Sequence, residues 1–189
     1  MDYIGPSKCD EVRKLREHDI DTIWEDLTNT DGFTVTYALF GPTIDLFRES
    51  LSCYQNGAYM ATALMCRTVT EIGIYHLVSR HVTKYSQEHK TIFEIKKSTR
   101  EYKYWRMIIK DAKTKCGINK NLERVINEIR ESGNFVAHHG QKMDKRDFKS
   151  LVRKGSWIPK NEAFKVLKKT TLVVKYLLKY TYERLPNDC

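Results

Sequence analysis

From Ala58 to Val82 the chain reads AYMATALMCRTVTEIGIYHLVSRHV, with no proline and a helical repeat throughout. Ala61, Leu64, Met65, Val69, Ile72 and Leu77 recur at three- and four-residue spacing and so form one stripe of an α-helix. A helix this apolar has to be covered by other elements, and its Ala and Thr residues allow a close helical neighbour. A second long segment, from Glu162 to about Arg184, is rich in Val, Leu and Tyr and makes the same demand. Glycine and proline are scarce, at 9 and 4 residues, which argues against a turn-dense β architecture.

The remaining segments fit that frame. Ile20, Ile23, Trp24 and Leu27 place a helix over residues 9–28, with Asp10 as a cap. Residues 29–41 carry an Asp31-Gly32 turn signal and a β-branched, aromatic run, and read as a short strand or an extended linker. From Pro42 the pattern turns helical, with Ile44, Leu46, Phe47 and Leu51 leading to a stop near Asn56-Gly57. Residues 102–113 form an amphipathic helix that stops near Cys116-Gly117. Asn119 caps the next helix, which bears Leu122, Val125, Ile126 and Ile129. Residues 84–100 read as a loop or a short exposed helix. Residues 140–160 read as a basic connection holding Trp157 and Pro159, and Asn161 caps the last helix. The expectation is an all-α fold, an up-and-down four-helix bundle over residues 42–189, preceded by an N-terminal helix and linker over 1–41.

The chemistry concentrates in IRESGNFVAHHG, Ile129 to Gly140. Arg130, Asn134 and His138 stand at i, i+4 and i+8, so they drift by only about 40° per step along one stripe. Arg130 can grip a phosphate with two parallel hydrogen bonds, and His138 can take or give a proton near neutral pH. Asn134 can orient either one. That set suits RNA cleavage without a metal: a base removes the 2′-hydroxyl proton while a cation holds the phosphate. The alternative is a hydrogen-bonded row that positions the helix and does nothing else. Geometry limits the first reading. Eight residues of helix rise about 12 Å, and helical side chains lean toward the N-terminus, so Arg130 leans away from His138. Either the helix breaks at Gly133, or a second subunit related by a two-fold axis supplies the missing half.

Arg67 and Glu71 form an i, i+4 pair on the helix 58–82. Where that pair faces Arg130, Glu71 holds Arg130 in place. His139 is a supporting candidate, and His76 and His81 are surface residues with no assigned role. No carboxylate or cysteine stands at ligand spacing beside the histidines, so neither a metal nor another cofactor is expected. The five cysteines contain no CxxC and are odd in number, which fits free thiols in a reducing cytoplasm. The N-terminus has no apolar core of a signal peptide, and no apolar run reaches the length of a membrane span, so the expectation is a cytoplasmic protein without a membrane partner.

The net charge is +9. This fits either a polyanionic partner such as RNA or simple solubility. The basic residues cluster. Lys96, Lys97, Arg100, Lys103 and Arg106 interleave with Tyr102, Tyr104 and Trp105. Lys142, Lys145, Arg146, Lys149, Arg153 and Lys154 follow the histidines directly and can funnel a polyanion toward them.

ALMCRTVTEIGIYHLV, then INEIRESGNFVAHHG, then EAFKVLKKTTLVVKYLLKY together resemble the HEPN-like superfamily. They are most similar to a prokaryotic family of uncharacterised domains that pairs an ARxxLE-like helix with an IRxxGNxAAH helix and a terminal helix. The resemblance covers roughly residues 42–184. It implies a helical bundle that often dimerises, and an activity as a metal-independent endoribonuclease in toxin–antitoxin, anti-phage or CRISPR settings. It also implies Arg130 and His138 as the catalytic pair, with Asn134 in the Asn position of the motif. The expected function is therefore an endoribonuclease or RNA-binding domain, a homodimer, with an antitoxin or defence-system protein as a further partner. The alternative is a non-catalytic module that binds nucleic acid or protein in a defence or regulatory system.

Overall fold

A computed structural model describes residues 6–83, 101–142 and 158–184, with side chains placed except at 6–9, 35, 38–39, 80–83, 101–104 and 138–142. Among the described residues there are six helices and no strand: α1 Pro6–Thr28, α2 Phe33–Gln55, α3 Tyr59–Thr83, α4 Glu101–Cys116, α5 Lys120–Lys142 and α6 Lys160–Tyr182. Segments 84–100 and 143–157, which hold the expected loop and most of the basic connection, lie outside the described residues.

Helix α3 is the axis of the packing. It touches α2, α4, α5 and α6, while α2, α3, α5 and α6 also touch in a closed circuit. Side-chain partners fix the relative directions. Gly73 of α3 meets Thr43 of α2 and Leu177 of α6, and the buried Cys66 bonds to Ser50 and Thr170. Thus α3 runs antiparallel to α2 and parallel to α6. Gly133 of α5 meets Arg67 of α3, while Arg130 meets Glu71, so α5 runs antiparallel to α3.

This central position changes the expected apolar stripe of α3. The buried residues are Thr62, Ala63, Cys66, Val69, Thr70, Gly73, Ile74, Leu77 and Val78, whereas Ala61, Leu64, Met65 and Ile72 are only half-buried. A helix covered by several neighbours has no single dry face, so the best-looking stripe in sequence is not the best buried. The buried threonines answer their own hydroxyls locally: Thr70 Oγ1 donates to the Cys66 carbonyl at 2.9 Å and Thr170 Oγ1 to the Val166 carbonyl at 2.9 Å.

The strand or linker expected at 29–41 is instead helical from Phe33. Thr36 and Phe40 are buried and Phe33 and Tyr37 partly so, which is a helical spacing hidden inside a β-branched run. Thr36 Oγ1 donates to the Gly32 carbonyl at 2.6 Å, and Phe33 meets Trp24 of α1 edge-on at 6.1 Å. Tertiary burial has overridden local β-propensity. The composition change near 41 survives as a kink: Phe40 leaves helical geometry at φ −117° and ψ 17°, two residues before Pro42, whose ring clashes with the preceding turn and whose nitrogen carries no proton.

Two expected caps are also replaced. Asp10 lies inside α1, because the helix begins at Pro6, a residue pre-set for a first turn. Asn161 lies inside α6, whose N-cap is the extended Pro159 without a side-chain cap. Asn119 does cap α5, its Oδ1 accepting from the Leu122 amide at 2.9 Å.

Helix α1 is tied down by polar and ionic contacts at both ends of its packed half. Asp19 Oδ2 accepts from the hydroxyl of the fully buried Tyr54 at 2.7 Å and lies 3.4 Å from Lys160 Nζ. Asp26 meets Lys175 at 2.6 Å. Burial, then the bond to Asp19, push the Tyr54 hydroxyl pKa far above its ordinary value, so it acts as a neutral donor. At the other end of the molecule the Tyr176 and Tyr180 hydroxyls of α6 donate to the Cys116 and Lys115 carbonyls. They satisfy the carbonyls that the last turn of α4 cannot pair.

Candidate functional site

Three helices place the polar groups. On α3, Arg67 and Glu71 stand one turn apart and point along the α5 side. The Nε of Arg67 donates to Glu71 Oε1 at 2.9 Å. From α5, the Nε of Arg130 donates to the same oxygen at 3.0 Å. One carboxylate oxygen thus gathers two guanidinium groups. The side chains of Arg130, Arg67 and Glu71 keep 18%, 22% and 30% of their surface exposed, so the cluster is drawn out of bulk water without being sealed. Its formal charge is positive. Both arginines spend their Nε on Glu71, and the Nη groups of neither have a hydrogen-bond partner among the described residues.

Gly133 makes this arrangement possible. It is buried one turn after Arg130, and a Cβ there would lie 2.6 Å from Arg67 Cβ and 2.8 Å from Arg67 Cδ. The Arg67 stem lies directly on the Gly133 backbone, which lets its head reach Glu71. The glycine is a close approach of two helices and not a break. Helix α5 continues through it from Lys120 to Lys142. Of the two geometric ways out for a long Arg-to-His row, the helix break is therefore removed.

Helix α4 supplies a third wall. The Arg130 guanidinium carbon sits 5.1 Å from the centre of the Trp105 ring, a cation–π contact. The Trp105 indole N–H donates to Asn127 Oδ1 on α5 at 3.4 Å, one turn before Arg130. Arg130 is therefore fixed by a carboxylate on one helix and an aromatic face on another. A cleft of about 620 Å³ opens beside it, between α4 and α5.

The other candidates fall as follows. Asn134 is half-buried one turn beyond Arg130. His138 and His139 lie within α5, with side chains outside the described residues, as is that of Lys142. Lys145, Arg146, Lys149, Arg153 and Lys154 lie outside the described residues, as do Lys96, Lys97 and Arg100. The structure thus brings Arg67, Glu71 and Arg130 together. Sequence reading missed that Trp105 and Asn127 belong to the same cluster. Asn127 precedes Arg130 by three residues, a helical-neighbour spacing that signals it. Nothing in the sequence connects Trp105 to Arg130.

Among the described residues, no group of three His, Cys, Asp or Glu side chains stands close enough to hold a metal ion. Burial pushes the Cys66 thiol up to about 12 and the Cys116 thiol up to about 11, so neither is a thiolate nucleophile near neutral pH. No described helix is long and apolar enough to cross a membrane. Comparison with known proteins finds no family model, no curated protein and no solved structure that matches this chain.

Proposed function

We propose that this chain is a HEPN-like domain, an up-and-down four-helix bundle with an N-terminal helical extension, that acts on RNA. In this reading it is a metal-independent endoribonuclease or RNA-binding domain of a prokaryotic defence or toxin–antitoxin type system. The observation that carries the reading is the presentation of Arg130. Glu71 takes its Nε and Trp105 backs its flat face, while its Nη groups stay without a partner among the described residues. An arginine meant only to close an ion pair would more naturally give its two-pronged edge to the carboxylate. Here that edge is kept for something else, and a phosphate matches it in shape and charge.

In the reaction, His138 takes the 2′-hydroxyl proton and the 2′-oxygen attacks the adjacent phosphorus. The bond from phosphorus to the 5′-oxygen breaks, the leaving oxygen receives a proton, and a 2′,3′-cyclic phosphate remains. Arg130 holds the charge that builds on the phosphate oxygens, and Asn134 orients the pair. Because α5 is continuous from Arg130 to Lys142, the two groups of one chain are about 12 Å apart along the axis. A homodimer that faces the two rows toward each other brings the Arg130 of one copy to the His138 of the other.

The same continuity favours a second reading, a non-catalytic module of a defence or regulatory system that binds nucleic acid or a protein such as an antitoxin. The two separate on incubating the protein with a pool of labelled single-stranded RNAs in EDTA. Cleavage to fragments ending in cyclic phosphate is the expected result. Salt-sensitive binding without cleavage favours the module, and the absence of both overturns the RNA reading.

A further inference from the structure

Asn127 of α5 has a hydrogen-bonding edge that the fold leaves unused. Its Oδ1 accepts from the Trp105 indole at 3.4 Å. An indole N–H can only donate, so the atom facing it is the amide oxygen and the amide nitrogen turns away. That nitrogen carries two N–H donors, and it has no hydrogen-bond partner among the described residues. The acids one turn to either side do not take it. Glu123 meets Lys113 at 2.8 Å, and Glu131 makes no bond to Asn127 among the described residues. Asn127 is half-buried and lines the cleft beside Arg130. Helices α4 and α5 both pack on α3 and pack little on each other, so the cleft stays open between the side chains that bridge it.

We propose that Asn127 reads the base of the nucleotide whose phosphate Arg130 grips, and that it selects uracil or guanine over cytosine or adenine. This rests on the RNA reading above and adds a substrate preference to it. Asn127 stands three residues before Arg130, about 4.5 Å along the axis, and helical side chains lean toward the N-terminus. The Arg130 side chain therefore leans toward the turn that carries Asn127, and a phosphate and its own base, one sugar apart, can meet the two side chains together. The direction of the preference follows from the atoms that Asn127 has left. With its oxygen held by Trp105, it presents donors. Uracil and guanine carry a carbonyl at the position where cytosine and adenine carry an amino group. The carbonyl accepts from Asn127, whereas the amino group sets donor against donor. Such reading requires an unpaired base, so the substrate is a single strand.

The test is binding of fluorescein-labelled 2′-O-methyl oligo(U) and oligo(C), which cannot be cleaved, to the full chain. The two differ in this edge while matching in size and charge. The unaltered protein is expected to bind oligo(U) about fivefold more tightly. Asn127→Leu, which has no hydrogen-bonding group, is expected to bring the ratio to within about twofold of one. Asn127→Asp still accepts from Trp105 but presents an acceptor, so its ratio is expected to turn in favour of oligo(C), even though its charge weakens both complexes. Equal binding of oligo(U) and oligo(C) by the unaltered protein overturns the base reading and leaves the RNA reading standing. A preference for oligo(U) that persists in either variant overturns it in the same way. No binding of either strand by the unaltered protein overturns both.

Discussion

On the proposed RNA reading, Arg130→Ala is expected to lower RNA cleavage by about 100-fold or more, the usual loss when a preorganised group facing a developing phosphate charge is removed. The substitution takes away a two-pronged donor, a cation and the partner of Glu71 together, so its effect is larger than that of any single hydrogen bond. His138→Ala is expected to have an effect of the same order, through loss of the proposed base. The continuity of α5 adds a sharper expectation. If each active site takes Arg130 from one copy and His138 from the other, mixing the two inactive variants and letting the copies exchange rebuilds one good site in half of the dimers. Activity then returns to about a quarter of that of the unaltered protein. A site built within one chain shows no recovery on mixing.

Gly133→Leu is expected to cost about 3 kcal/mol or more of folding stability, toward the upper end for overpacking a closed interface. Any side chain at this position starts 2.6 Å from Arg67 Cβ, and a Cβ cannot swing aside because the α3 backbone holds it. The two helices must separate, and they share one of the broader contacts of the molecule. In a thermal melt this appears as a fall of about 6–12 °C for a chain of this size. Gly133→Ala is the finer probe. Alanine gains about 1 kcal/mol of helix propensity over glycine, so a stabilised Gly133→Ala protein would show that the close approach does not exist. The expected result is a net loss of about 1 kcal/mol, with Arg67 displaced from Glu71.

The parts that sequence made legible were those written in local chemistry. Asn119 announced a helix start because its side chain can reach an amide three residues on, and it does. The ends at Asn56-Gly57 and Cys116-Gly117 were legible for a similar reason. The link from Glu71 to Arg130 followed from two helical spacings, Arg67 to Glu71 and Arg130 to Asn134, once the helices were taken to be neighbours. What stayed hidden depends on contacts between distant segments. Phe33 to Phe40 look β-like because Val, Thr and aromatic residues favour strands, yet packing against Trp24 and the core makes them a helix. The α3 stripe was misplaced because four neighbours surround that helix. Trp105 belongs beside Arg130 through a meeting of α4 with α5 that no local pattern encodes.

That contact with Trp105, together with Glu71, defines what is special about Arg130: a planar, forked cation held by its Nε, whose outer edge has no hydrogen-bond partner among the described residues. Arg130→Lys keeps the charge and removes the fork. Its affinity for a single-stranded RNA, measured beside its melting temperature, is the most direct test. The account predicts that binding weakens about tenfold while the melting temperature stays within a few degrees of the unaltered protein. Unchanged RNA affinity in the lysine protein would contradict it, because Arg130 would then contribute only a positive charge and the geometry around it would serve the fold alone.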